Sequence, residues 1–429
     1  FAVGLLVSIA LHELGHMAPA KKFGVKVPQY MVGFGPTLWS RTKGDTEYGI
    51  KGIPLGGYIR MIGMFPPNPK GVQDREHLGR IGLMIETARE EVLSEISPED
   101  EPRTFYRLSV PKKLTVMFGG PFMNLVIATI LFTISLSVIG RPVVTTTVSE
   151  VVVCVPTSAN PNGIASTSGT CDGGVSTPAS EIGLTAGDKL LVVNDLEIAS
   201  WEDLGTALGD QAGKVVQVTY LTSAGATVTK SVKVAAIESE VFTDTGEPTG
   251  EFSTRGFLGV SPSFALEQSP VSEVPGFMTS VTASSISALF EFPARVFGLA
   301  GELFTDSPRD PEGPVSVVGI GRISGQITSS EAVPTVYKVG DLITLLASVN
   351  LFLFVFNMVP VLPLDGGHMA IAIVDGVRRQ NARLRKLPTP EPFDVVRLVP
   401  LTLAVIVVMG GLSLLLLAAD IINPLRLNF

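Results

Sequence analysis

Four stretches of this chain are almost without charge, and each approaches or exceeds the roughly 20 residues that an α-helix needs to cross the hydrocarbon core of a bilayer. They cover residues 1–20, 114–140, 342–364 and 398–419. Of 429 residues, 45% are hydrophobic and only 17% charged, and the mean hydropathy of +0.40 excludes both an ordinary soluble enzyme and a disordered chain. The expected fold class is therefore a polytopic α-helical membrane protein with four transmembrane helices. A net charge of −8 excludes binding of nucleic acid through a general basic surface. The first run opens on Phe1 without a methionine, so residues are expected to be missing before it. It is not a signal peptide, because its apolar stretch leads straight into His12 and Glu13.

Lys and Arg in the connecting segments set the expected orientation, since short cytoplasmic loops retain them. Segment 375–397 carries Arg378, Arg379, Arg383, Arg385, Lys386 and Arg397 against three acids, and 21–113 carries 15 basic residues. By contrast, 141–340 holds 10 basic and 22 acidic residues. Four alternating spans then place both termini and the long central segment outside the cytoplasm, in a multi-pass protein of the plasma (inner) membrane.

The central segment reads as a folded module. Residues 142–155 and 215–235 alternate β-branched and polar positions as half-buried strands do. Between them, residues 183–195 form a turn, a buried strand and a second turn, and 201–208 suit a short helix. The Ser/Thr/Gly/Pro-rich stretch 156–180 reads as a loop. It is flanked by the two cysteines, Cys154 and Cys171. Outside the membrane a disulfide between them is expected; the alternative is two unpaired small residues. Residues 284–304 alternate apolar and polar positions around Phe290, Phe292, Val296, Phe297 and Leu303, as an amphipathic helix on the outer membrane surface would, or one packed on the module. Residues 75–101, rich in Glu, suit a solvated cytoplasmic helix and loop.

The sharpest chemical signal is His12-Glu13-Leu14-Gly15-His16. Two imidazoles at i and i+4 share one helical face and can hold one zinc ion, with Glu13 beside the metal's water. Inside an apolar span ionisable residues are costly, which argues against a chance match. A catalytic zinc needs a third protein ligand. Asn357-Met358-Val359-Pro360-Val361-Leu362-Pro363-Leu364-Asp365-Gly366-Gly367-His368 offers Asp365 at the cytoplasmic end of the third span. Two other readings stay open: Asp365-Gly366 is only a helix-ending turn, or His368 is the ligand.

The pairing of HELGH in a first span with N-x-x-P-x-x-P-L-D-G-G in a later one resembles the site-2 protease family of intramembrane zinc metalloproteases. The likeness extends to Gly33-Phe34-Gly35-Pro36 and to Gly119-Gly120-Pro121-Phe122-Met123-Asn124, where the family usually keeps a single Gly. It also covers Gly183 to Asp195, which resembles a PDZ domain. The resemblance implies His12, His16 and Asp365 as ligands of one zinc ion per chain, Glu13 as general base, and Asn357 as a hydrogen-bond donor to the substrate backbone or oxyanion. It further implies a re-entrant β-hairpin, about 33–62, where Gly56, Gly57 and Tyr58 pair with an unwound substrate, with Pro360 and Pro363 also against the substrate. The alternative is an ordinary cytoplasmic hairpin.

The domain layout is then 1–22, first span; 23–112, cytoplasmic segment with the hairpin; 113–140, second span; 142–262, extracytoplasmic α+β PDZ-like domain; and 263–338, interfacial segment. It continues with 340–374, third span with LDGG; 375–397, cytoplasmic loop; and 398–422, fourth span. Implied partners are the lipid bilayer and single-span membrane proteins such as anti-sigma factors, first cut by an upstream site-1 protease, with no nucleic acid. Regulated intramembrane proteolysis follows as the expected activity. A membrane-anchored protease cutting soluble loops is a second reading, opposed by the depth of His12. A scaffold with PDZ-mediated peptide binding and structural zinc is the non-enzymatic one; a closed structural site has no use for Glu13 beside the metal.

Overall fold

The computed structural model of the chain describes residues 1–64, 79–94, 96–155, 171, 174–242, 248–302, 313–330, 333–388, 390–391 and 393–425. Most of the expected 156–180 loop, the start of the expected 75–101 helix, and Leu303 lie outside the described residues. In chain order the elements begin with α1 (Ala2–Lys22), β1 (Gln29–Lys43), β2 (Thr46–Arg60), α2 (Arg80–Ser94) and α3 (Val110–Thr133), which a π-helical stretch, Ile134–Ile139, continues. Then come β3 (Arg141–Val151), α4 (Pro178–Glu181), β4 (Lys189–Val193), β5 (Leu196–Glu197), α5 (Trp201–Gly209), β6 (Val215–Leu221), β7 (Thr227–Lys233), β8 (Ala235–Phe242), β9 (Pro248–Phe257) and β10 (Val260–Glu267). The chain closes with α6 (Val274–Glu302), α7 (Val317–Ser329), α8 (Thr335–Asn357), α9 (Asp365–Leu384) and α10 (Val399–Ile422).

These divide into a helical unit, residues 1–139 and 269–429, and a β-rich unit, residues 140–268. In the helical unit, four helices among the described residues are long and apolar enough to cross a membrane: Ala2–Lys22, Val110–Ile139, Thr335–Asn357 and Val395–Ile422. Large apolar side chains of α10 such as Leu401, Val407 and Leu414 are exposed, the natural state of a surface that faces lipid tails. α1 and α3 meet through glycine. A Cβ on Gly15 would strike the Gly119 carbonyl, and one on Gly119 would strike the Gly15 carbonyl, so the backbones approach as closely as small residues allow. On one side of this crossing Met17, Ala20, Val27, Val116 and Phe105 form a core. On the other, Ala128, Phe132 and Leu136 pack with Ala347, Leu351 and the start of α6 through Val274 and Met278.

The third span ends earlier than the apolar run predicts. Residues 340–374 were expected as one helix, but α8 stops at Asn357 and a separate helix, α9, begins at Asp365. Pro360 and Pro363 lie between them. Proline lacks the amide hydrogen a helix requires and drives its preceding residue out of the helical region. The expected loop 375–397 is correspondingly half helix, since α9 runs to Leu384. The segment expected at 263–338 holds β10's last residues and two helices, α6 and α7.

The expected hairpin begins earlier too, at Gln29. Gln29–Val32 has partners on both edges: antiparallel Gly57–Arg60 on one, and Glu47–Ile50 on the other. Beyond them β1 and β2 continue as a ribbon from Thr37↔Lys51 to Lys43↔Thr46, turning at Gly44 with φ 62°.

In the β-rich unit the sheet order is β10-β3-β4-β6-β7, with β5 paired to β4. The 215–235 pattern is two strands, β6 and β7, in register from Val215↔Lys233 to Leu221↔Thr227, with Gly225 in the left-handed region between them. Val216, Val218 and Tyr220 alternate inward along β6 and join Leu190, Val193, Ala179, Leu204 and Leu258 in one core. α5 opens with a capping box: Ser200 accepts from the Asp203 amide, and the Asp203 carboxylate accepts from the Ser200 amide. A disulfide joins Cys154 and Cys171.

Candidate metal centre

The centre is assembled from the middle of α1 and the first residue of α9. The i, i+4 spacing sets His12 and His16 on one face of α1, with their Nε2 atoms 3.3 Å apart. Asp365 Oδ2 lies 3.6 Å from His12 Nε2 and 3.3 Å from His16 Nε2. Of the His, Cys, Asp and Glu donors among the described residues, these three converge within 4.8 Å of one another. His368, one turn along α9 from Asp365, lies outside that cluster.

Local sequence explains the placement of Asp365. A carboxylate in the first turn of a helix meets the positive end of its dipole. The two glycines that follow make room for the turn: a Cβ on Gly366 would strike the Val359 and Met358 carbonyls, and one on Gly367 would strike Leu362 and Val361. The LDGG sequence is thus a tight junction that folds the Pro360–Pro363 loop back onto the start of α9.

α3 fixes the other side. His16 Nδ1 donates to the Val116 carbonyl at 2.8 Å, which commits the ring's hydrogen to Nδ1 and leaves the Nε2 lone pair facing Asp365. Gly120 lies against the His16 ring, where any Cβ would collide with it. Two histidine nitrogens and a carboxylate, converging with at least one tautomer fixed, are the donor set that zinc takes in catalytic sites with an open fourth position. The residues present therefore fit the metal.

Glu13, next to His12 in the sequence of α1, is buried. The edge of the β1–β2 ribbon lies against it: a Cβ on Gly57 would stand 3.0 Å from Glu13 Cγ and from the Met31 carbonyl. Gly56 has φ 128° and sits under the Phe34 ring, which stacks on Tyr58 at 6.3 Å. Asn357 closes α8; among the described residues its side chain makes no hydrogen bond to His12, His16 or Asp365. Sequence reasoning assigned nothing to Val116, Gly15, Gly119 or Gly120. The signals available were the family-like Gly119 to Asn124 motif and its glycine pair inside an apolar helix, which marks a close approach of backbones but does not say of what.

Four membrane-type spans with a His, His, Asp donor cluster and an adjacent carboxylate define a membrane metalloprotease. The family model of Peptidase family M50 matches residues 1–389, and the chain belongs to this site-2 protease family of zinc metalloproteases. It is 31% identical to Zinc metalloprotease Rip1 of Mycobacterium bovis over 440 residues, covering 100% of this chain and 97% of that protein. The same coverage holds for Zinc metalloprotease Rip1 of Mycolicibacterium smegmatis, at 32% identity. A putative zinc metalloprotease of Clostridium acetobutylicum is 25% identical over 84% of this chain and 81% of its own length.

Proposed function

We propose that this zinc metalloprotease cuts peptide bonds within or near the transmembrane segments of single-span membrane proteins, after another protease has removed their outer domain. The observation that carries the reading is the position of the donor cluster: His12 and His16 lie in a membrane-type helix, and Asp365 opens α9, across the Pro360–Pro363 loop from the end of another. A protease of soluble loops has no reason to bury its metal site in spans.

In this reading His12, His16 and Asp365 hold one zinc ion. When bound, zinc supplies a Lewis acid and lowers the pKa of water toward neutrality. Glu13 takes the proton of the attacking water and returns it to the departing amine. Asn357 donates its amide hydrogen to the carbonyl oxygen as charge develops there. A substrate helix shields its own carbonyls and must unwind first; the ribbon edge at Gly56, Gly57 and Tyr58 receives the extended strand by backbone pairing, with Pro360 and Pro363 shaping the opposite wall. The β-rich unit serves as a PDZ-like filter outside the plasma membrane, with both termini on the same side. Anti-sigma factors are the substrate class that the family likeness suggests.

The test is cleavage of a single-span substrate lacking its outer domain, by wild type and Glu13→Gln, with zinc content measured for both. The expected outcome is a loss of at least about 100-fold in rate at equal zinc, the usual contribution of a general base. Equal cleavage by both proteins would remove Glu13 from the chemistry. No cleavage by either, with zinc bound, would favour a membrane scaffold.

A further inference from the structure

The Gly-Pro-x-x-Asn motif of α3 has a polar residue without a task. Asn124 is 1% exposed, and its Oδ1 has no hydrogen-bond partner among the described residues. His12 Nδ1 on α1 is likewise buried without a partner. A buried donor and a buried acceptor left unmade side by side are rare in folded proteins.

The helices explain why these two belong together. Val116, Gly120 and Asn124 stand at i, i+4 and i+8 and so line one face of α3. Opposite them α1 presents His16 and then His12. The Val116 carbonyl accepts from His16 Nδ1, Gly120 packs on the His16 ring, and Asn124 comes next, beside His12. The Gly120 carbonyl is also near His12 and, like the Val116 carbonyl, has a second lone pair beside its helical bond, so it is the rival acceptor: unchanged zinc affinity in Asn124→Leu would assign the task to it. We propose that Asn124 is the positioning residue for His12, its carboxamide oxygen accepting the Nδ1 hydrogen and so presenting Nε2 to the metal. The inference rests on the reading of His12, His16 and Asp365 as zinc ligands. A histidine that binds through Nε2 carries its hydrogen on Nδ1 and needs an acceptor there. α3 would then supply one acceptor per ligand, a backbone carbonyl for His16 and a side chain for His12.

The experiment measures zinc affinity of the full-length protein by chelator competition, with melting of the zinc-free form recorded in parallel. Wild type is compared with Asn124→Leu, Asn124→Asp, His12→Ala and the double variant of His12→Ala with Asn124→Leu. Asn124→Leu keeps the packing and loses the acceptor; zinc should bind at least about tenfold more weakly, the usual effect of removing such a partner. Asn124→Asp keeps the acceptor and should retain or exceed wild-type affinity, the zinc-free melting of both should match wild type, and Asn124→Leu should add nothing in the His12→Ala background. Wild-type affinity in Asn124→Leu, an equal loss in Asn124→Asp, or an equal loss in the absence of His12 would each overturn the proposal. If Asn124→Leu does not fold, Asn124→Ala is read by the same criteria. Undiminished zinc binding by His12→Ala would instead sink the ligand assignment itself.

Discussion

At the scale of single residues the site depends on what is missing as much as on what is present. Gly120 gives up a side chain so that the His16 ring can lie against α3. Gly120→Ala is therefore expected to displace His16 and weaken zinc binding at least tenfold, read as the zinc-to-protein ratio after dialysis. Gly57 stands against Glu13 rather than the ligands. Gly57→Val should leave that ratio unchanged while lowering cleavage by about 100-fold, since a shift of about 1 Å at a reacting group costs that much; zinc loss in Gly57→Val would show that the ribbon supports the metal and not the base. The HELGH motif was legible because its information is local: helical periodicity alone sets His12 and His16 on one face. The choice between Asp365 and His368 was not, because both lie on the same short stretch and only the fold-back of the Pro360–Pro363 loop decides which one meets α1.

At the scale of elements, breaks and caps matter more than hydrophobicity. The apolar run through 342–364 conceals the end of α8 at Asn357, because hydropathy reports burial in lipid and not backbone continuity. The two prolines carried the missing information. The β-rich unit offers an independent test of local chemistry in the capping box of α5. Ser200→Ala should lower the stability of that unit by about 1 kcal/mol, followed by the fluorescence of Trp201, which packs against its core. Hydrogen bonds from the backbone and hydroxyl of Ser200 and from the Ala199 amide hold the Asp203 carboxyl below its ordinary range. Its contribution is thus complete above the unfolded value near pH 4 and fades only as pH falls through the folded one. The Trp201 transition in wild type should move to lower denaturant on acidification below that point, and less so in Asp203→Asn. Equal acid sensitivity in both would assign the effect to other carboxylates.

At the scale of the whole molecule the chain divides into a helical unit that holds the His12, His16 and Asp365 cluster and a β-rich unit that holds none of those residues. If the second unit filters substrates, deleting 144–260 should allow cleavage of a substrate that keeps its outer domain, while the rate on a pre-cut substrate falls by less than tenfold. Loss of zinc-dependent cleavage of the pre-cut substrate would make the unit part of the catalytic machinery. The segment 284–304, expected as an amphipathic helix either on the outer surface of the membrane or packed on the module, falls up to Glu302 on α6, whose Phe290 and Phe297 are exposed and whose Val296 and Leu299 are buried.

The long apolar runs, and the spacing that sets His12 and His16 on one helical face with Glu13 next to His12, were readable without the fold, because each is written in runs or spacings shorter than one helix. The sheet pattern of residues 140–268 was legible for the same reason, as period-two alternation along β6 shows. The convergence of Asp365 with the two histidines, the tautomer of His16 and the seat of Glu13 came only from the tertiary structure. These depend on where α3, α9 and the β1–β2 ribbon meet α1, across separations such as the 100 residues between His16 and Val116. Contacts of that kind arise from backbone approach at glycines, and a residue with no side chain leaves no chemical pattern from which its neighbour can be read.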